Sequence, residues 1–291
     1  MGLVVAAAVW GSPAMADWNG STRLSPIPTS LRAEEAFSRV NPKLVRDLEA
    51  KGLSYGAPLF VRIFKLTRQL EVWLEDDDGR YSLFRTYGIC EYSGGMGPKL
   101  REGDRQSPEG FYTVRSDQLN PHSKFHLSFD LGFPNAYDRA HGRTGNLLMV
   151  HGSCVSQGCF AMTDARMEEI YSLAAAALRG GQDGVPVHIF PFKMTDVNIG
   201  ATQGAAYHGF WMNLKQGHDL FEETGVPPAV WVERGIYRFA RRQPTAEQVI
   251  AASRSSALPG RPEPKRAETP GLTPLHSTPC GAPQCPLPTV Q

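Results

Sequence analysis

The sequence predicts an α+β fold, mostly β: a sheet or sandwich with a helix behind its most reactive segment and further helices at its flanks. Three observations lead there. Short runs rich in branched and aromatic residues recur between residues 59 and 190. Apolar residues at helical spacing are concentrated in 31–53 and 163–178. The chain has 291 residues, 41% hydrophobic and 20% charged, enough to bury the core of one large domain or two small ones. A net charge of +1 gives no electrostatic case for nucleic acid or an anionic membrane surface as partner.

In chain order, residues 1–16 read as a signal peptide: an apolar run from Leu3 to Val9, then Ala14-Met15-Ala16 as a cleavage site before Asp17. The run is too short to span a bilayer, and no other segment is long and apolar enough to do so. Residues 17–57 form an N-terminal helical segment. Leu31 to Leu53 reads as two helices, the second capped by Asn41, with Pro42 in its first position and Gly52 as its stop. A central domain spans 58–193. Its predicted strands are Leu59–Phe64, Leu70–Leu74, Tyr81–Cys90, Phe111–Val114, Asn146–His151 and Val185–Phe190. Asp76-Asp77-Asp78-Gly79 is a hairpin tip, because calcium-loop ligand spacing is absent. Residues 92–110 are a glycine-bearing loop beside a cleft, without the P-loop order of residues. Thr163 or Asp164 caps a helix running to about Leu178, with Met167, Ile170, Tyr171, Ala174 and Leu178 as its core stripe. Residues 194–241 are a C-terminal extension, and 242–291 a proline-rich tail expected to be disordered.

The most informative stretch is Val150-His151-Gly152-Ser153-Cys154-Val155-Ser156-Gln157-Gly158-Cys159-Phe160. A thiol needs a base to act as a nucleophile near neutral pH, and imidazole is tuned for that task. Gly158 lets backbone approach a substrate carbonyl. A helix directly after the cysteine aims its free N–H groups at the sulfur. Cys159 is therefore the expected nucleophile and His151 its base. Export implies an oxidising compartment, and five cysteines are an odd number. Cys280 with Cys285 and Cys90 with Cys154 is one pairing that leaves Cys159 free. Spacing alone does not select it, and a Cys154–Cys159 bridge would inactivate the site.

Two other chemistries compete. His151, Cys154 and Cys159 have H-x2-C-x4-C spacing, which zinc accepts if His122, His126 or His141 supplies a fourth ligand. No C-x2-C or H-E-x-x-H accompanies them, so no metal and no cofactor is expected. A redox pair of Cys154 and Cys159 lacks the C-x-x-C spacing.

Ser156-x-Gly158-Cys159 downstream of His151-Gly152 resembles the YkuD-type L,D-transpeptidases, which use a cysteine to remodel bacterial cell-wall peptides. A longer string resembles the YafK branch of that family. It runs from Pro108-Glu109-Gly110-Phe111-Tyr112 through Gly132-Phe133-Pro134-Asn135-Ala136-Tyr137-Asp138 to His151-Gly152 and Gly158-Cys159-Phe160-Ala161-Met162-Thr163. The resemblance covers about 41–237 and implies an L,D-transpeptidase catalytic domain at 58–193. It implies Cys159 as nucleophile, His151 as base, and Gly152, Ser156, Gln157 and Gly158 as motif or oxyanion positions. Tyr112, His126 and Tyr137 are candidates for contacting substrate. Where the commoner family pattern has a second histidine and an arginine, this chain has Gln157 and Ala161, so donor recognition is expected to differ.

The function so implied is periplasmic. A thioester acyl-enzyme forms at the diaminopimelate L-centre of peptidoglycan stem peptides, and water resolves it, releasing peptidoglycan-linked envelope lipoprotein. The alternatives are a true L,D-transpeptidase, in which an amine resolves the thioester, and a non-catalytic peptidoglycan-binding protein.

Overall fold

A computed structural model describes residues 26–242. The expected signal peptide, the Cys280–Cys285 pair and the proline-rich tail, apart from Arg242, lie outside the described residues.

The chain runs α1 (Leu31–Glu49), β1 (Leu59–Phe64), β2 (Gln69–Glu75), β3 (Tyr81–Gly88), β4 (Glu91–Tyr92), β5 (Gly110–Val114), β6 (Leu119–Asn120), β7 (Ser128–Asp130), α2 (Ala136–Ala140), β8 (Met149–His151), β9 (Phe160–Ala161), α3 (Asp164–Arg179), β10 (Val185–Phe190), α4 (Asp196–Gly200), α5 (His208–Thr224), β11 (Ala229–Glu233) and β12 (Ile236–Ala240). One five-stranded sheet has the order β3-β2-β1-β10-β5, a second β4-β9-β8-β7-β6, and β11-β12 is a hairpin. Pairing is antiparallel except at β1–β10 and β8–β9. The α+β, mostly β architecture expected from the sequence is what the chain adopts.

Period-two alternation decides what each strand buries. Leu59, Val61 and Ile63 of β1 join Val185, Val187 and Ile189 of β10 in a core shared with Phe129, Val150 and Phe160 of the second sheet and with α1 and α3. The opposite face of the first sheet is also covered. Phe64, Phe111 and Phe190 pack there against Trp211 and Leu214 of α5 and Tyr237 of β12. This explains why β1 and β10 read as unbroken apolar runs: both of their faces are buried. The 194–241 extension therefore forms the back layer of the sheet.

The N-terminal region is one helix where two were expected. Asn41 and Pro42 lie inside α1. Ala33, Ala36, Phe37, Leu44 and Leu48 form one buried stripe across the proline, so packing holds the helix through a residue that costs about 3 kcal/mol in an isolated helix interior. Asn41 is not a cap. Its Oδ1 accepts from the Tyr55 and Ser172 hydroxyls and ties α1 to α3. The cap is Ser30, which accepts from the Ala33 N–H at 3.2 Å. The acidic tip is a hairpin as expected, with Asp76 Oδ1 accepting from the N–H groups of Asp78 and Arg80.

The 92–110 loop is tied down rather than flexible. Lys65 at the end of β1 is fully buried, and its ammonium donates to the carbonyls of Gly97 and Ser107 and to Glu109. Glu109, equally buried, also accepts from the Gly97 N–H and the Trp211 indole. Removing one partner of a buried pair strands the other charge, so Glu109→Leu should cost about 3–5 kcal/mol in urea unfolding, whereas Lys65→Met/Glu109→Leu together should cost clearly less than twice that.

Candidate active site

The second sheet places the reactive groups. Parallel pairing of β8 and β9 sets Val150 opposite Phe160 and His151 opposite Ala161. Val150 and Phe160 point into the core. By alternation Met149, His151 and Ala161 turn to the other face, and the backbone just before β9 brings the Cys159 sulfur to that side, 3.5 Å from the Met149 N–H. Thiol and imidazole are thus one two-residue step apart, about 7 Å along the strand. They are not hydrogen-bonded to each other in the free protein: the Cys159 S–H points to the Leu147 carbonyl at 3.7 Å. Catalytic contacts commonly tighten only when substrate arrives.

The imidazole tautomer follows from its partner. His151 Nδ1 lies 2.6 Å from the Gly152 carbonyl, which can only accept, so Nδ1 carries the proton and Nε2 is left basic. Phe125 stacks on the ring at 4.7 Å. Burial pushes the His151 pKa below the ordinary imidazole value, partly offset by the Gly152 bond. Burial likewise raises the Cys159 pKa; the Met149 N–H opposes that, the Asp130 carboxylate adds to it and Lys99 opposes it. The resting pair is therefore neutral thiol and neutral imidazole. Asp130 stands opposite Met149 across the β7–β8 ladder, which places its carboxyl on the thiol's face.

The helix expected directly after the cysteine begins later. The chain passes first through β9, and α3 starts at Asp164 after Thr163, which sits at φ 70° and makes no side-chain cap. Helix-dipole activation of the thiol is accordingly replaced by local bonds. Asp164 Oδ1 accepts from the Ser153 N–H at 2.7 Å. A Cβ on Gly152 would lie 2.5 Å from that same oxygen and 2.8 Å from the Phe125 carbonyl, so only glycine fits. Four non-glycine residues at positive φ crowd this region: His126, Leu147, Ser153 and Thr163.

The Cys159 carbonyl accepts from the hydroxyls of Ser156 at 2.8 Å and Ser107 at 3.2 Å. Ser156 also accepts from the Gly158 N–H, which is thereby occupied in the free protein and is not a ready-made oxyanion donor. Gln157, at the other motif position, is exposed. Sequence reasoning missed Ser93 and Ser107, which join Ser156 in this hydroxyl cluster from 63 and 49 residues upstream. It also missed Arg32 and Arg39 of α1. Arg32 donates to the carbonyls of Ser123 and His126, and Arg39 pairs with Glu168, which also binds His126 at 2.9 Å. Lone charged residues on a helix give no signal of this kind.

Of the expected substrate contacts, only His126 borders the site: a Cβ on Gly152 would meet its Cβ at 3.0 Å. Tyr112, 3% exposed, donates its hydroxyl to Asp138, and Tyr137, 6% exposed, stacks between His141 and Tyr237. Both are packed into cores, away from Cys159 and His151. Cys90 and Cys154 form a disulfide with Cα atoms 5.3 Å apart, and Cys159 is free. Cys154 is thus spent, and neither the zinc set nor the Cys154–Cys159 redox pair can form. Among the described residues no group of three His, Cys, Asp or Glu is placed to hold a metal, and no helix is long and apolar enough to cross a membrane.

Comparison with known proteins places this geometry. Residues 61–189 match the YkuD family, L,D-transpeptidase catalytic domain. Two relatives named "Putative L,D-transpeptidase YafK", from Escherichia coli K12 and O157:H7, are each 45% identical over 202 residues, covering 69% of this chain and 81% of theirs. Among solved structures, the helical cell shape determining protein Pgp2 of Campylobacter jejuni matches at 23% identity and TM-score 0.37, over 50% of this chain and 55% of its own. Its K307A mutant matches at 19% identity and TM-score 0.38, over 65% and 63%.

Two measurements check the site. Iodoacetamide labelling of the Cys159 peptide, followed by mass spectrometry, should rise with pH along a curve displaced above that of a free thiol, and Asp130→Asn should move the curve down. Cys154→Ser opens a 64-residue loop and should lower stability by roughly 4 kcal/mol on loop entropy, read by denaturant unfolding.

Proposed function

The chain belongs to the YkuD-type L,D-transpeptidase family, and from that premise we propose that it is a periplasmic cysteine enzyme acting at the diaminopimelate L-centre of peptidoglycan stem peptides. The observation that carries the proposal is the pairing of one free thiol with one imidazole of fixed tautomer on the same face of β8 and β9.

On substrate binding the thiol leaves the Leu147 carbonyl, and His151 Nε2 takes its proton as sulfur attacks the carbonyl carbon. The carbonyl π pair moves to oxygen, and backbone N–H donors freed around Gly158 and Cys159 hold that oxyanion, at about 3–4 kcal/mol for a good donor. The tetrahedral adduct collapses, the C–N bond breaks, and His151 returns the proton to the leaving amine. A thioester remains. Water then attacks with His151 again as base, giving a free carboxylate and the regenerated thiol.

Water, rather than an amine, is the proposed acceptor, with the lipoprotein–peptidoglycan link as the bond cleaved. The support is the likeness to the YafK branch. Ala161 also stands buried opposite His151 where the commoner motif has arginine, so the carboxylate contact such an arginine would supply is missing. Transpeptidation uses the same thioester and differs only in the second nucleophile.

Digestion of purified sacculi separates these readings. Hydrolysis should release lipoprotein and leave no new cross-links, and new cross-links would overturn the choice of water. Cys159→Ala should abolish turnover with folding retained, and turnover by that variant would remove the assignment altogether. Because His151 must be neutral to accept the proton, kcat/KM should fall as pH drops through a value below the ordinary imidazole pKa of about 6.5.

A further inference from the structure

A second concavity lies on the back of the first sheet, where the β11–β12 hairpin stands off β5 and β10. Its volume is about 810 Å³, within the range that holds a ligand of a few sugar or amino-acid units. Neither Cys159 nor His151 lines it. Three arginines do: Arg115 before β6, Arg139 on α2 and Arg242 after β12. No aspartate or glutamate is among the lining residues.

Arg115 and Arg139 donate side-chain bonds only to the carbonyls of Asp183 and Pro134, and none of the three arginines is in an ion pair among the described residues. Three uncompensated guanidiniums around one concavity focus a positive potential and suit planar, bidentate anions. The hairpin adds Trp231, 48% exposed, a large flat apolar surface held at the rim. His188 of β10 forms part of the wall. It is 2% exposed, and its Nδ1 has no hydrogen-bond partner.

We propose that this cavity is a second binding site for an acidic glycopeptide, with carboxylates on Arg115, Arg139 and Arg242 and a sugar face against Trp231. The proposal rests on the reading of peptidoglycan as substrate. It names a place on the enzyme, apart from the thiol, that holds the polymer. Leu131 and Gly132 line the cavity and directly follow Asp130, the last residue of β7, along the chain. The chain's own tail is a poor occupant. Residues 243–291 carry Arg254, Arg261, Lys265 and Arg266 against Glu247, Glu263 and Glu268, an excess of the same sign as the cavity.

The test uses full-length protein with Cys159→Ala, titrated calorimetrically with a disaccharide tetrapeptide and with the same fragment after amidation of its carboxylates. Adding Arg139→Gln and Arg242→Gln, both exposed, should weaken binding of the acidic fragment roughly tenfold or more, from the loss of charge-assisted bonds. Trp231→Ala should weaken it further. The amidated fragment should bind the parent as weakly as the acidic one binds the arginine variant. Equal affinity of both proteins for the acidic fragment, or of the parent for both fragments, overturns the proposal. Unchanged alkylation of Cys159 in the arginine variant on the wild-type background shows that fold and cleft are intact. Arginine-dependent binding without turnover of sacculi by wild type would sink the proposed activity and leave the cavity standing. Turnover without arginine-dependent binding would do the reverse.

Discussion

The buried contact between Lys65 and Glu109 is the constraint on which the site depends. Each group alone would pay several kcal/mol to leave water, and burial does drag the Lys65 pKa down while Glu109 holds it up. The cost is met because nearly every polar valence is used. Lys65 binds two carbonyls and a carboxylate oxygen, and Glu109 binds an amide and the Trp211 indole. The pair thus fastens three separate pieces of chain: the end of β1, the 92–110 loop and α5. Fixing Ser107 matters most, since its hydroxyl reaches the Cys159 carbonyl. A glycine-bearing loop that would otherwise wander becomes a wall against the Cys159 backbone.

That rigidity surrounds a thiol that is uncharged at rest. Burial dominates both pKa shifts, and it favours the uncharged form of each group. A preformed thiolate–imidazolium pair is the opposite arrangement and needs a polar or positive setting. Asp130 works against the thiolate as well. A cationic group placed beside the half-buried Asp130 carboxyl would cancel that repulsion and favour the thiolate. The imidazole is held for this moment from a distance. Arg32 of α1 donates to the Ser123 and His126 carbonyls, Glu168 of α3, paired with Arg39, holds the His126 ring, and Phe125 lies on the His151 ring.

Local patterns in the sequence were enough to place the strands of the first sheet, because Leu59–Phe64 and Val185–Phe190 are apolar on both faces and need no context. They were enough for α3, whose stripe is regular. They misled at Pro42, where a start signal is overridden by a core stripe that continues through it. In the second sheet they found β8, though three residues too long, and were silent for β4, β6, β7 and β9 and for α2, which exist only through pairing and capping. The motif singled out Cys159 and His151, whose expected chemistry is local in the chain, and the structure sets the free thiol and the imidazole on one face of neighbouring strands. The motif gave nothing of Ser93, Ser107 or Arg39, whose importance arises when distant segments meet. Tyr112 and Tyr137 were singled out by the family string, yet their aromatic bodies are core and their neighbourhood is structural.

The disulfide completes the argument about the thiol. Cys154 and Cys159 are separated by four residues on a turn that carries Gly158 at φ 128° and Ser153 at φ 57°. Two free thiols on so short a segment could pair with each other wherever thiols oxidise. Cys90, just past β3, takes Cys154 instead, and its own N–H binds the Ala161 carbonyl, so the bridge is anchored to the strand that follows the nucleophile. The bond therefore does two things with one constraint. It ties down the loop between His151 and Cys159, and it removes the thiol best placed to pair with Cys159 when an oxidant is present. A single free sulfur beside a bridge is the arrangement that keeps cysteine chemistry available where spare thiols are lost to pairing.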